Sequence, residues 1–345
     1  MALRFIDSFD HYTTTQLSAK WTEVNFTPTI DATAGRCGTG ALKIGTTPLQ
    51  SLIKGIPFGS TTGVIGAAFK FTGILGGGAW LFLSFGYLSQ LHVSLARNDD
   101  GSLAVYRNGA GTTLLGTSAP DLVRMGEWYF LEFKATIDGA VGTATVRVNG
   151  VQVLALTGQN TVGGLAAGAA LSFIQLTGAA SSGASVDDLY VLDSTGGTNA
   201  DFLGDVRIEY LHPDGPGATQ AWDVVGAATH YQAVWDTAGP DDDTTYIHTA
   251  TAGLVDTETF SNTGLPAGSI YGLQIGLYAR KTDSGLRQIA PVVRAGGTDY
   301  VGTNKEPSFA SYAYLIQLYE TNPATAAAWT IADVNAAEFG IKLTT

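Results

Sequence analysis

Cysteine is almost missing. Cys37 is the single one in the chain, so no intrachain disulfide can form. A small secreted scaffold held together by disulfides is thereby excluded. Charge is sparse as well, at 14% of residues, where an ordinary soluble domain carries about 25%. The scarcer sign is positive, with 18 Lys and Arg against 30 Asp and Glu and a formal net charge of −12. That balance excludes a nucleic-acid binder working through a basic surface. Long apolar runs are missing too. Residues 71–96 and 149–186 hold no charge, but Gly76-Gly77-Gly78, Gln90 and His92 break the first, and Asn149, Gln152, Gln159 and Asn160 break the second. Neither offers the ~20 predominantly apolar residues of a membrane helix, so no membrane insertion is expected. The opening MALRFIDSFDHY carries Arg4, Asp7 and Asp10 and no apolar segment, unlike a secretory leader.

What is present is glycine, aromatics and repeated short apolar segments. The 44 glycines follow no three-residue period, which excludes collagen. An apolar content of 45% with 10% aromatics is too high for a disordered chain. A length of 345 residues suggests two domains, each large enough for its own core. The loop Asp193-Ser194-Thr195-Gly196-Gly197-Thr198-Asn199 marks the expected boundary, giving domains 1–197 and 198–345. Residues 1–197 hold 11 basic and 13 acidic side chains, whereas residues 198–345 hold 7 and 17. The acidity therefore belongs almost wholly to the second domain.

Segments about ten residues apart, bounded by Gly, Asn, Asp or Pro, predict an all-β chain of sandwich type. Expected strands in the first domain include 51–56, 63–72, 80–85, 91–96, 103–107, 128–137 and 143–148. The turns Asn98-Asp99-Asp100-Gly101 and Asn149-Gly150 predict hairpins. In the second hairpin Ala144, Val146 and Val148 share one face. In the second domain strands are expected at 206–211, 230–235, 246–251, 271–281, 288–294, 311–318 and 338–343. One short helix is expected at 331–337, capped by Thr330.

Several motifs carry a resemblance. Gly126-Glu127-Trp128-Tyr129-Phe130-Leu131-Glu132-Phe133, then Val146–Val148 with Asn149-Gly150, resembles the middle of a laminin-G or concanavalin-A-like jelly roll. The closing Val186-Asp187-Asp188-Leu189-Tyr190-Val191 fits the same pattern, as do Asp7-Ser8-Phe9-Asp10-His11-Tyr12, Trp21 and Gly35–Leu42. The likeness covers most of residues 1–195. Further on stand Gly204-Asp205-Val206-Arg207-Ile208, Pro213-Asp214-Gly215, Trp222 and Asp241-Asp242-Asp243-Thr244-Thr245-Tyr246. Ala328-Trp329-Thr330 and Glu338-Phe339-Gly340-Ile341-Lys342 close the chain. In this order they resemble a family of tailed-bacteriophage structural proteins. The resemblance implies an N-terminal jelly-roll sandwich followed by a second β-sandwich-like domain, and a place in the virion after synthesis in the host cytoplasm.

Chemistry is thinly marked. A glycosidase needs two carboxylates flanking the scissile bond, and laminarinase-like jelly rolls carry them as E-x-D-x-x-E. No such motif occurs. Glu127 and Glu132 lie five apart and face opposite sides of a regular strand, which makes Glu132 an outward carboxylate unless it lines a concave face. Asp187 and Asp188, being adjacent, should also point opposite ways, solvated or bonded within a turn, unless one reaches a lectin-like ion. Asp241, Asp242 and Asp243 form the sharpest acidic cluster. They read as a solvated turn before a strand, or as a calcium site completed by Asp236 and backbone carbonyls. The histidines His11, His92, His212, His230 and His248 show no paired spacing, which argues against zinc. There is no nucleophile elbow, phosphate loop or dinucleotide fingerprint. Tyr12, Trp80, Tyr87, Tyr106, Trp222, Trp235 and Tyr300 are candidate sugar-stacking aromatics, with Trp80, after the glycine run, and Tyr106, beside Arg107-Asn108-Gly109, placed for a loop rim, set against the ordinary reading as core.

These readings point to a non-enzymatic virion protein on the tail or head, stabilising the particle through contacts with copies of itself and with other virion proteins. Interface cores are poor in charge, which suits this composition. The alternative is a glycan-binding adhesin that recognises host surface sugars. A glycan-cleaving enzyme ranks below both. No cofactor is expected other than the calcium considered above.

Overall fold

The computed structural model describes residues 2–26, 28–45, 50–73, 78–107, 113–164, 170–179, 182–237, 239–264 and 267–345. The chain divides into two compact units, Met1–Ile208 and Glu209–Thr345. Both have very little helix and are built from antiparallel sheets, apart from the short parallel pairing of Ser308–Phe309 with Leu273–Lys281. No helix among the described residues is long and apolar enough to cross a membrane.

The first unit is a two-sheet jelly-roll sandwich. One sheet runs in the order Val151–Gln159, Gly142–Val148, Trp128–Thr136, Thr62–Gly73, Ser182–Asp193, Ala41–Ile44, Thr29–Asp31, with Ala2–Asp7 paired to Ser182–Asp193. The other runs Thr113–Thr117, Leu103–Arg107, Gln90–Asn98, Ala79–Tyr87, Phe173–Thr177, Ser51–Gly55, Glu23–Asn25. The first and last strands of the unit thus lie side by side. Alternation decides which side chains meet between the sheets. Gly142, Ala144, Val146 and Val148 are buried while their neighbours are not. Phe69 of one sheet meets Phe82 of the other edge to face, with ring centroids 4.9 Å apart, and Phe85 meets Phe133 at 5.5 Å. Each such ring, fully buried, contributes about 1.5–3 kcal/mol. Both expected hairpins form. Asn149 at φ 48° and Gly150 at φ 79° make the tight turn that matches strand twist, which needs positive φ at both positions.

The boundary lies later than the Gly196-Gly197 loop suggested, because residues 199–208 lie along the first sheet. Phe202 sits under the Arg147 guanidinium, 4.2 Å from ring centroid to Cζ. Lys134 bridges to Asp201 at 3.0 Å. Arg36 holds Asp205 and the Val206 carbonyl, and the Ile208 N–H donates to Asp188 at 2.6 Å. These side-chain bonds occupy the backbone, so the strand expected at 206–211 does not form.

The second unit pairs a five-stranded sheet, ordered Pro213–Gln220, Val255–Phe260, Glu338–Leu343, Ile289–Ala295, Thr298–Val301, with the three-stranded Ser308–Phe309, Leu273–Lys281, Ala313–Tyr319. Val293, Trp329, Val334, Ala337 and Phe339 form its core, with Leu273, Ile275 and Tyr319 packed against them. The predicted helix is present at Ile331–Ala336, and the Thr330 hydroxyl accepts from the Asp333 N–H. One expectation fails here. Residues 230–235 do not form a strand; His230–Ala233 is a single helical turn that buries Ala233. Pro213–Gln220 pairs as an edge strand despite Pro213 and Pro216, where a missing N–H does no harm because the outer side has no partner strand.

Candidate functional site

Two groups of side chains in the second unit lie on either side of the turn at His230–Ala233. The first lines an open depression. Ala227, Ala228, Gln232, Trp235, Asp236, Thr237, Gly239 and Asp241 form its wall. Trp235 is half-buried, and its indole stacks on the His212 ring at 4.1 Å and 8°. That stacking fixes the indole plane. The Asp236 carboxylate accepts from the Asp241 N–H at 3.0 Å, and Asp241 accepts from the Thr245 N–H at 3.0 Å and the Thr245 hydroxyl at 3.1 Å. Burial pushes the Asp236 carboxyl above its ordinary value, with the Asp241 charge adding to it. The wall therefore presents one flat aromatic, two oriented carboxylates and the exposed amide of Gln232.

The second group is the only one among the described residues in which three metal-ligating side chains converge. One ligand atom from each of His230, Asp256 and Glu258 lies within 4.8 Å of the others. Asp256 and Glu258 sit two apart on Val255–Phe260 and so share a face. Both are buried, at 1% and 4% exposure. His230 Nδ1 lies 3.0 Å from Asp256 Oδ2 and 3.1 Å from Oδ1. The Trp222 N–H donates to Asp256 at 2.9 Å and the Gln220 amide donates to Glu258 Oε2 at 2.9 Å. Glu258 Oε1 has no well-aligned hydrogen-bond partner among the described residues. Burial first, and the Asp256 charge second, push the Glu258 carboxyl up to about 8. Two ionised carboxylates cannot hydrogen-bond each other, so the pair needs a proton or a cation between them.

Of the residues singled out from the sequence, Trp235, Asp236 and Asp241 lie in the wall of the depression, and the others fall elsewhere. Asp241, Asp242 and Asp243 do not converge. Asp241 turns to Thr245, Asp242 accepts from the Tyr278 hydroxyl at 2.7 Å, and Asp243 accepts from Arg280 at 2.7 Å and Tyr312 at 2.9 Å. Asp242, at φ 58°, and Asp243 both meet the stacked Tyr278–Tyr312 pair, whose centroids are 5.0 Å apart, while Asp241 faces Thr245. Trp80 is a core residue at 3% exposure, wedged edge-on against Phe71, and its Nε1–H donates to the Thr177 carbonyl. Tyr106 is half-buried on Leu103–Arg107 opposite Ser94. Gly76, Gly77, Asn108 and Gly109, which suggested loop rims there, lie outside the described residues.

Two carboxylate readings are overturned. Glu132 is not outward but wholly buried, accepting from the Tyr190 hydroxyl at 2.5 Å and the Gly204 N–H at 2.8 Å. The segment after residue 198 covers it. Asp187 and Asp188 do not diverge into solvent. A register shift with Asp188 at φ 52° turns both toward Arg36, whose N–H donates to Asp187 and whose Nε donates to Asp188.

No protein-family model matches the chain, and no curated protein matches it. Among solved structures it is similar to the carbohydrate esterase vb_24B_21 from Shiga toxin-encoding bacteriophage phi24B, at 17% identity over 54% of this chain and 98% of that one, TM-score 0.37. It is similar to the Caenorhabditis elegans galectin LEC-6, at 12% identity over 44% and 95%, TM-score 0.29. A third is the Ruminococcus gnavus IT-sialidase CBM40 bound to alpha2,3 sialyllactose, at 19% identity over 42% and 78%, TM-score 0.30. At such values these likenesses add nothing to what the strand order already establishes.

Sequence reading missed the His230, Asp256 and Glu258 group. The signal was present in Val255-Asp256-Thr257-Glu258-Thr259-Phe260, whose alternation places two carboxylates on one strand face. Nothing in the spacing announced that His230 would be folded back onto them.

Proposed function

We propose that the protein is a non-catalytic carbohydrate-binding subunit and that the depression around Trp235 is its sugar site. The observation that carries this reading is the half-buried indole held flat by His212, with Asp236, Asp241 and Gln232 around the same hollow. The C–H face of a pyranose packs on such an indole, and its hydroxyls donate to fixed carboxylates. The carboxylates are already oriented by Thr245 and backbone N–H groups, so little ordering cost falls on binding.

A glycan array followed by titration calorimetry tests it. Wild type binds at least one glycan class, and Trp235→Ala abolishes that binding while leaving the fold intact by circular dichroism. Binding unchanged in Trp235→Ala, or no binding to any glycan at high protein concentration, rejects the site. Release of reducing sugar by the wild type rejects the non-catalytic part.

A second reading adds to the first and concerns where the module is mounted. Phe309, Tyr271, Val301 and Leu286 are 55%, 40%, 42% and 58% exposed, individual apolar side chains of the second unit that a partner would bury. The resemblance to tailed-phage structural proteins makes a virion the assembly to examine. Cryo-electron microscopy of a particle that carries the protein would show this surface covered. A particle in which it stays open to solvent would reject that mounting.

A further inference from the structure

We infer that His230, Asp256 and Glu258 form a binding site for a divalent transition-metal ion, with zinc the representative. The inference is independent of the sugar site and uses none of the residues that line it.

Charge makes the first argument. Asp256 and Glu258 are 1% and 4% exposed and stand side by side on one strand face. Among the described residues no Lys or Arg is ion-paired to either of them; the contact within the group is from His230 Nδ1, 3.0 Å from Asp256. A buried pair of carboxylates without a cation is costly. Geometry makes the second. The three side chains bring a nitrogen and two carboxylate oxygens within 4.8 Å of one another. Glu258 Oε1, buried and without a well-aligned hydrogen-bond partner among the described residues, is a lone-pair donor open to a cation. A cation beside it would satisfy that oxygen and neutralise the pair in one step.

The donor set selects the ion. Calcium and magnesium take oxygen ligands, whereas an imidazole with two carboxylates suits zinc and its neighbours in the first transition row. Three protein ligands leave a fourth tetrahedral position for water. The surrounding bonds are of the kind that hold ligands in place. Gln220 steadies Glu258 through its amide, and the Trp222 N–H steadies Asp256. On binding, His230 Nδ1 exchanges its hydrogen bond to Asp256 for the metal, the Nδ1 proton passing to solvent and the ring N–H standing on Nε2.

The competing account is one proton held between the two carboxyls. Calorimetric titration of the chelator-treated full chain with zinc, and cobalt titration followed by visible absorption, separate the two. The site predicts about one zinc per chain, a cobalt d–d spectrum, and weaker uptake of calcium. Glu258→Gln and Asp256→Asn, near-isosteric replacements, should each weaken zinc by at least about tenfold, with near-ultraviolet circular dichroism confirming the fold. Gln220→Ala should weaken it by about tenfold without removing a ligand. Absence of zinc uptake by folded wild type overturns the proposal. So does uptake that both carboxylate variants leave unchanged.

Discussion

Lys20 Nζ lies 2.9 Å from Asp7 Oδ1, and both side chains are wholly inaccessible to solvent. Around them the Tyr12 hydroxyl donates to Asp7 at 2.7 Å, the Trp21 indole at 3.0 Å and the Phe9 N–H at 3.0 Å. Burial pushes the Asp7 carboxyl up, but Lys20, His11 and these donors outweigh it and leave it below its ordinary value. Burial pulls the Lys20 ammonium down. The pair joins Ala2–Asp7 to the helical turn Leu17–Lys20, so it pins the first strand to the segment that follows. Lys20→Met leaves Asp7 charged, buried and without its cation. The expected loss is about 3–5 kcal/mol by urea denaturation. A loss below about 1 kcal/mol would show that Asp7 takes up a proton or water at little cost.

The sandwich itself was legible where local rules govern. Asn149-Gly150 announced its hairpin because only residues that tolerate positive φ fit that turn, and Ala144, Val146 and Val148 announced the buried face. Thr330 announced its helix because a hydroxyl before an apolar run caps the first turn. The candidate sites were not legible, because register and local backbone kinks build them. Asp188 at φ 52° turns two adjacent aspartates to one side, contrary to strand alternation. His230 meets Asp256 across 26 positions of chain only because a helical turn replaces the strand its β-favouring neighbours suggested. Glu132 read as outward because nothing local says that residues 199–208 will return to cover it.

Asp187 gives the first unit a pH dependence. Burial, then the Asp188 charge, push its carboxyl from 3.8 up to about 7. Burial likewise pushes Asp10 to about 6. Between about pH 4 and pH 7 the folded chain therefore holds protons that the unfolded chain has released, and stability falls as pH rises through that window. The Asp187 share reaches about 4 kcal/mol at the upper end, at 1.36 kcal/mol per pH unit. Asp187→Asn removes the Asp187 share and leaves that of Asp10. Unfolding free energies measured at intervals from pH 4 to pH 7 should show the variant gaining on wild type as pH rises. Parallel curves would refute the assignment.

Trp80 and Trp235 should separate structure from recognition. Trp80→Ala empties a site bounded by Phe71 and Phe82 and orphans the Thr177 carbonyl. It should cost about 3–5 kcal/mol of stability and leave glycan affinity unchanged at temperatures where the fold persists. Trp235→Ala, half-buried at an open wall, should lose affinity at a stability cost of about 1 kcal/mol. The two variants measured side by side by thermal melting and calorimetry should give opposite patterns, and a shared pattern would undo the distinction.

Tyr190 ties the covering segment to the sheet beneath it. Its hydroxyl donates to Glu132 at 2.5 Å and accepts from the Leu203 N–H at 3.1 Å. Its ring also fills the space that a side chain at Gly66 would need, since a Cβ there would lie 2.2 Å from Tyr190 Cε1. Removing only the hydroxyl leaves that packing alone and strips Glu132 of its shortest donor. Glu132 Oε2 has no hydrogen-bond partner among the described residues, so among them the carboxylate would rest on the Gly204 N–H. Tyr190→Phe should therefore cost about 1–3 kcal/mol. Hydrogen exchange should quicken at residues 199–208 before it quickens in Trp128–Thr136, because the segment is held chiefly by side-chain bonds whereas the strand is held by backbone bonds on both sides. Equal acceleration in both would mean that the segment and the sheet open as one unit.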